Sequence, residues 1–272
     1  MKKAVIIGAN GFLGSSLVKR LLSENLEVIA IYNNNYENID NRAIIIKKNV
    51  FNNYSGNIDY IYFLSGNYTN TYNEFISINY DLLKYTNKFK SAKFIYISST
   101  NVYGNHNTEI TESSCYNNPS LYGNFKLAGE FLISSLKNYS IIRLTYLYGP
   151  GITNSSFLPN IINSAISRSE IIITGSGKRF QDYLYIDDAV DLCYKCSLIN
   201  ENRIYLGATG KKISNNDAVF EISKHIKCKI RYDGNDTSPS FIFNPIETFK
   251  FLNWLPQTSF EVGIEKMIKW YI

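Results

Sequence analysis

The chain has 272 residues, 45% of them hydrophobic and 19% charged, with a formal net charge of +5, enough to bury one large domain or a domain with a smaller lobe. Its basic residues are scattered in pairs such as Lys2-Lys3, Lys47-Lys48 and Lys211-Lys212, which argues against a nucleic-acid footprint. No apolar run approaches 18 residues, no charged leader precedes "AVIIGANGFLG", and only two histidines accompany the four cysteines, so the expectation is a cytoplasmic protein with no membrane span and no metal site.

The first predicted strand, "AVIIGA", runs into the predicted helix "FLGSSLVKRLLSE". Between them, Gly8, Gly11 and Gly14 are spaced three apart. In a strand-turn-helix setting such glycines permit a tight turn, a close approach of backbone to a pyrophosphate, and close helix packing. The unpaired amides at the helix start then face the phosphates. The second strand, "EVIAIY", ends in Tyr32 and Asn33 rather than the acid that would read an adenosine ribose. Asn33 and Arg42 are candidates for contact with a ribose or a 2′-phosphate, which leaves NAD and NADP both open.

Further strands are predicted in "AIIIKK", "IDYIYFLS", "AKFIYISS" and "SIIRLTYLYG". Helices are predicted over about 72 to 89 and in the segment that holds Tyr122 and Lys126, whose spacing of four puts both side chains on one helix face. Alternating strands and helices of this kind imply an α/β fold, a doubly wound parallel sheet whose inner strands read as continuous apolar runs.

Past Pro150 the order is less regular. "SSFLPNIINSAISRS" reads as a helix with Pro159 near its middle or at a restart, "EIIITG" and "RIYLGA" as strands, and "YIDDAVDLCYKCSLI" as a helix starting near Asp187 or Asp188 that buries Cys193 and Cys196. Two more helices are predicted, from Ser214 through Ile226 and from Ser259 to Tyr271. The division expected is a dinucleotide-binding core over 1–150 and a smaller, discontinuous lobe over 151–272, with the helix and strand near 187–208 returning to the core.

Taken together, "GANGFLG", "FIYISSTNVYG", "YGNFK", "RLTYLYGPG", "GSGKRFQDYLYIDDAV" and "LNWLPQTSFEVGIEKMIKWY" resemble the extended short-chain dehydrogenases/reductases, in particular nucleotide-sugar epimerases, dehydratases and ketoreductases, over essentially the whole length. The resemblance implies a Rossmann-like fold. It makes Tyr122 the acid/base, Lys126 the residue that binds the nicotinamide ribose and favours tyrosinate, and Ser99 the hydrogen-bonding partner of the reacting oxygen. It also implies cofactor contacts from Gly8, Gly11, Phe12, Leu13, Gly14, Asn33, Leu64, Asn79, Tyr122 and Lys126. Substrate contacts are expected from Ser99, Thr100, Asn101, Tyr146, Phe157, Arg179 and Gln181. A homodimer is implied through the helices of Asn79 and Tyr122, with Phe75, Leu82, Leu83, Phe125, Leu132 and Leu136 as its apolar candidates, many of which must also cover the sheet, and Tyr103 and Tyr148 are candidates either to flank the cleft or to pack as core aromatics.

The chemistry is consistent with those roles. Free tyrosine has a pKa of about 10 and needs a neighbouring cation to act as a base near neutrality. The resembling 4,6-dehydratases carry Asp-Glu where this chain has Thr100-Asn101, and a hydroxyl and an amide do not supply that acid/base pair. The common substrate-binding Asn and Arg of the epimerases are here Tyr146 and Gln181, with Arg179 two residues earlier. The expected function is therefore NAD- or NADP-dependent reduction of a 4-keto group of a nucleotide sugar, with an NAD-dependent 4-epimerase as the alternative and an inactive dinucleotide-binding protein behind both.

Overall fold

The computed structural model describes residues 1–66 and 71–272. In chain order the first half contains β1 (Lys3–Ile7), α1 (Phe12–Ser23), β2 (Glu27–Tyr32), β3 (Ile44–Lys47), α2 (Lys48–Phe51), β4 (Tyr60–Phe63), α3 (Tyr72–Lys88), β5 (Lys93–Ser99), a 3-10 turn (Thr100–Tyr103), α4 (Leu121–Ser134) and β6 (Tyr139–Leu144). The second half contains β7 (Tyr146–Tyr148), α5 (Phe157–Arg168), β8 (Glu170–Thr174), β9 (Phe180–Gln181), β10 (Tyr183–Tyr185), α6 (Ile186–Leu198), β11 (Arg203–Gly207), β12 (Ile213–Ser214), α7 (Asn215–Ser223), β13 (Lys229–Asp233), α8 (Ile246–Leu252) and α9 (Phe260–Tyr271).

Seven of the described strands form one sheet in the order β11-β6-β5-β4-β1-β2-β3, every pair of it parallel. The inner strands β4 and β5 are buried at every residue, as a sheet covered on both faces requires. Alternation along β1 sends Ala4 and Ile6 into the core under α1 and α6, and Val5 and Ile7 into a second core that includes Leu82 and Tyr85 of α3 and Ile133 of α4. The sheet order reverses between β1 and β4, so the carboxyl ends of β1, β4 and β5 open onto the crevice in which such folds bind ligands.

The smaller lobe rests on three two-stranded pairings, β7 with β10, β8 with β13, and β9 with β12. Here the structure departs from the sequence reading in detail. Pro159 is the third residue of α5, in the first turn, where its missing N–H costs no helical hydrogen bond. Helix α7 ends at Ser223, with a Ser214/Asp217 capping box at its start, and the short helices α2 and α8 were not expected. Among the described residues no helix is long and apolar enough to cross a membrane.

Candidate active site

The chain leaves β1 through Gly8, whose φ of +90° is in the region that favours glycine. A Cβ there would come within 3.3 Å of Ser65 N and 3.4 Å of the Leu64 carbonyl carbon, so the turn abuts the end of β4. A Cβ on Gly14 would fall 2.2 Å from Gly8 O, which is why α1 can lie so close to the loop. At Gly11, the N-cap of α1, a Cβ would meet only Gly8 O at 3.4 Å, and no side chain caps the helix. The opening amides of a 12-residue helix are therefore uncapped by any side chain at an exposed glycine with open space beside it, a surface suited to a diphosphate. Phe12 is half-buried, and Leu13 belongs to the core with only its main chain at the helix start.

Asn10 ties this loop to the segment after β2. Its Nδ2 donates to Asn35 Oδ1, and its Oδ1 accepts from Asn38 N at 2.9 Å. Asn33 is exposed and lines neither cleft described below. Arg42 is engaged: its Nε and Nη2 donate to the two oxygens of Asp40 at 2.9 and 2.7 Å. Those hydrogen bonds hold the Asp40 carboxyl at about 2. The Arg42 side chain, 63% exposed, is held in this surface pair.

Ser99 ends β5 and is 9% exposed. Its Oγ accepts from Asn101 N at 3.2 Å and so caps the 3-10 turn, which leaves its hydrogen to donate. Helix α4 approaches this strand through two glycines: a Cβ on Gly123 would lie 2.3 Å from Asn101 O, and one on Gly129 would lie 2.1 Å from Tyr96 Oη. Close packing at both points brings Tyr122 and Lys126 over the carboxyl end of the sheet. Lys126 Nζ donates to Ile97 O at 2.8 Å and Ser65 O at 3.4 Å, and it sits 5.8 Å from the Tyr122 ring centroid. Burial pushes the Lys126 ammonium down to about 8, against the opposing charge of Glu130.

A cleft lined by Ser65, Gly66, Phe75, Asn79, Tyr122 and Lys126 opens at this point. A Cβ on Gly66 would lie 3.5 Å from Lys126 Nζ and 3.8 Å from Tyr122 Oη, so both groups converge on one small volume. Phe75 stacks on Phe125 at 4.3 Å and tilts against Tyr122 at 6.1 Å. Asn79 Nδ2 donates to Phe125 O at 3.2 Å, a bond from α3 to the backbone of α4 between Tyr122 and Lys126.

A second cleft lies in the smaller lobe and gathers Tyr146, Phe157, Arg179, Gln181 and Tyr183. Gln181 is 5% exposed. With its amide oxygen turned toward Arg179, it accepts from Nη2 at 2.6 Å, while Arg179 Nε donates to Pro239 O at 3.2 Å. Thr100 and Asn101 are in the turn beyond Ser99, half-buried and exposed. Among the described residues no group of three or more His, Cys, Asp or Glu side chains could hold a metal ion.

Two sets of residues that the sequence left open between core packing and another role are buried wholly or in part. Tyr103 and Tyr148 are 0% and 1% exposed and are core aromatics rather than cleft walls, Tyr148 packing on Tyr183, Tyr185 and Phe260. Of the helix-face candidates only Leu83 is exposed, whereas Phe75 and Leu82 are buried and Phe125, Leu132 and Leu136 half-buried. Sequence reasoning missed Ser65, Phe75 and Tyr183, which reach the clefts only through tertiary packing. It also missed Glu130, whose signal was legible: it follows Lys126 by four residues, as Lys126 follows Tyr122.

Comparison with known proteins matches residues 4–203 to the NAD dependent epimerase/dehydratase family. A dTDP-D-glucose 4,6-dehydratase of Dictyostelium discoideum is 29% identical over 270 residues, covering 82% of this chain but only 62% of the dehydratase's own length. A putative UDP-glucose 4-epimerase of Methanocaldococcus jannaschii is 25% identical over 298 residues and is matched nearly end to end, 98% of this chain and 97% of the epimerase. Among solved structures, MoeE5 in complex with UDP-glucose and NAD superposes with a TM-score of 0.85 at 19% identity, covering 100% of this chain and 98% of MoeE5, a likeness of fold.

Proposed function

The chain belongs to the NAD dependent epimerase/dehydratase family, and we propose that it transfers a hydride between a nicotinamide cofactor and C4 of a nucleotide sugar, reducing a 4-keto group without dehydration. The observation that carries this reading is the convergence of Tyr122 Oη and Lys126 Nζ on Gly66 beside the glycine turn, with Ser99 capping a turn that holds Thr100 and Asn101 in place of two acids.

When bound, the cofactor takes up or supplies the hydride at its nicotinamide. The helix start at Gly11 would hold its diphosphate, and Lys126 would bind its ribose. The family match and the NAD held by MoeE5 support NAD as the cofactor. In the reductive direction Tyr122 gives a proton to the sugar O4 as C4 is reduced, and Ser99 donates to the same oxygen and fixes it. In the oxidative direction Tyr122 takes that proton, and the Lys126 charge favours the phenolate.

A second reading is a 4-epimerase, in which the two half-reactions run in succession on opposite faces of the sugar. The end-to-end match to a putative UDP-glucose 4-epimerase supports it. A mass-spectrometric panel of nucleotide sugars, run with NAD, NADH and NADPH, tests both. Net loss of nicotinamide absorbance with a 4-keto sugar selects the reductase, and interconversion without net absorbance change selects the epimerase. No conversion of any nucleotide sugar contradicts the proposal.

Arg179 is the cation we assign to the substrate diphosphate, standing beside the Gln181 that replaces the usual arginine. Losing a charge-assisted hydrogen bond costs about 1.5–3 kcal/mol, so Arg179→Ala is expected to weaken UDP binding roughly ten- to a hundredfold in calorimetry while NAD affinity is kept. An equal loss for neutral sugars would count against the assignment.

We also propose a homodimer and a cytoplasmic setting. Along α3, Tyr72, Ile76, Tyr80 and Leu83 are 65%, 59%, 67% and 42% exposed, and Phe131 of α4 is 67% exposed. Their spacing of three and four makes one apolar stripe of the self-complementary kind a two-fold interface uses. Light scattering is expected to give twice the chain mass for the native protein and a monomer for the Ile76→Lys/Tyr80→Lys variant; a monomeric native protein would dismiss the dimer. The four cysteines are unpaired, which suits a reducing compartment.

A further inference from the structure

We propose that Glu130 and Arg143 are a positioning pair beneath the candidate site, which fixes α4 against β5 and β6 and keeps Lys126 in its ammonium form. The inference rests on the reading of Tyr122 and Lys126 as the proton-transfer pair.

Tyr122, Lys126 and Glu130 follow one another at intervals of four along α4, so they share a face. Glu130 and Arg143 have side chains 5% and 1% exposed. Arg143 Nε donates to Glu130 Oε1 at 3.0 Å and Nη2 to Oε2 at 2.6 Å, a bidentate fork from β6 to α4. Ser98 Oγ, one residue before Ser99, donates to the same Oε1. In the sheet register Ser98 lies opposite Arg143, so one carboxylate ties together the strand of Ser99, the strand beside it and the helix of Tyr122.

Arg143 extends the tie to the loop between Ser99 and Tyr122. It donates to Glu112 O at 3.3 Å and to Tyr116 Oη at 2.7 Å, with its guanidinium 4.8 and 5.2 Å from the ring centroids of Tyr103 and Tyr116. A buried ion pair adds little net stability over an apolar replacement of the same shape, so stability alone does not account for this one. A hub that joins the elements of all three proposed catalytic groups does.

The charges around Lys126 make the electrostatic half of the role specific. Its own helix brings Tyr122 and Glu130, β5 brings Tyr96 with its ring 5.3 Å away, and the loop after β4 brings the neutral carbonyl of Ser65. Helix α3 brings Phe75, Ile78 and Asn79, which carry no charge. Arg143 faces Glu130 from β6. Among the described residues Glu130 is the carboxylate whose charge acts on Lys126, against the burial that lowers it.

The test is a pH titration of the Lys126 ε-carbon by NMR in lysine-labelled protein, with the signal assigned by its loss in Lys126→Met. Glu130→Gln, which keeps an acceptor but removes the charge, is expected to move the midpoint down by about one pH unit or more. Glu130→Asp is expected to restore most of the native midpoint. An unmoved midpoint in folded Glu130→Gln would overturn the pair. Should that variant fail to fold, Glu130→Gln/Arg143→Met is read against Arg143→Met, so that only the Glu130 charge differs: a lower midpoint in the double variant supports the role and equal midpoints overturn it. NADH fluorescence titration of the native protein separates this inference from the functional reading. Failure to bind NADH would contradict that reading, whereas the Lys126 midpoint alone decides the role of Glu130.

Discussion

Tyr122→Phe is expected to lower turnover by about two to four orders of magnitude, the usual contribution of a placed proton-transfer group, while fold and NAD binding persist. The substitution removes one oxygen and keeps the ring that packs against Phe75. Helix α4 is held elsewhere, by Gly123 on Asn101, Gly129 on Tyr96 and the Glu130–Arg143 fork, so a loss of rate would not be a loss of structure. Single-turnover rates at saturating cofactor over a pH series read the chemical step directly. Retention of the native rate and pH profile would make Tyr122 one more packed aromatic.

Lys126→Met is expected to be the second largest loss, because the proposed ribose contact and the charge that favours phenolate vanish together. Its signature in stability has the opposite sign. Native Lys126 titrates at about 8 against an ordinary value of 10.5, so between those two pH values the unfolded chain binds more protons and stability rises with pH. Below about pH 8 the buried ammonium carries its full desolvation cost, a shift equivalent to about 3 kcal/mol at most. The carbonyls of Ile97 and Ser65, left without their donor, offset about 1–3 kcal/mol of the relief. Thermal unfolding at pH 7 should therefore show the methionine variant at or above the native midpoint, with any advantage shrinking as pH approaches 10. A variant both inactive and several kcal/mol less stable at pH 7 would mark Lys126 as a structural donor only.

The first half of the fold was legible because its signals are local. "AVIIGA" and "FIYISS" are continuous apolar runs of buried parallel strands, and the glycines between β1 and α1 mark a turn whose φ and close contacts only glycine meets. The smaller lobe was less legible because β9 and β12 are two residues each, and pairings that short follow from tertiary placement rather than period. Tyr103 and Tyr148 show the same limit. Standing just past a strand end does not tell which way a ring turns, and both turn into the core.

In the site, the spacing of Tyr122 and Lys126 was readable as a shared helix face. The groups that orient them were not. Ser65 O reaches Lys126 because β4 lies beside β5, and Asn79 reaches Phe125 O because α3 packs on α4. Sequence likewise shows a cation just before β3 but not its surface pair with Asp40, two residues away.

The central claim is that this chain moves a hydride to C4 of a nucleotide sugar. It is tested most directly by incubating the protein with NADH deuterated at the nicotinamide C4 and a nucleotide 4-keto sugar, then locating the label by NMR. Deuterium at C4 of the sugar, formed by the native protein and lost in Tyr122→Phe, is the expected result for the reductase, and for the epimerase once its bound cofactor has been replaced by the deuterated NADH. A sugar without label, or label incorporated at the native rate by Tyr122→Phe, would contradict the account.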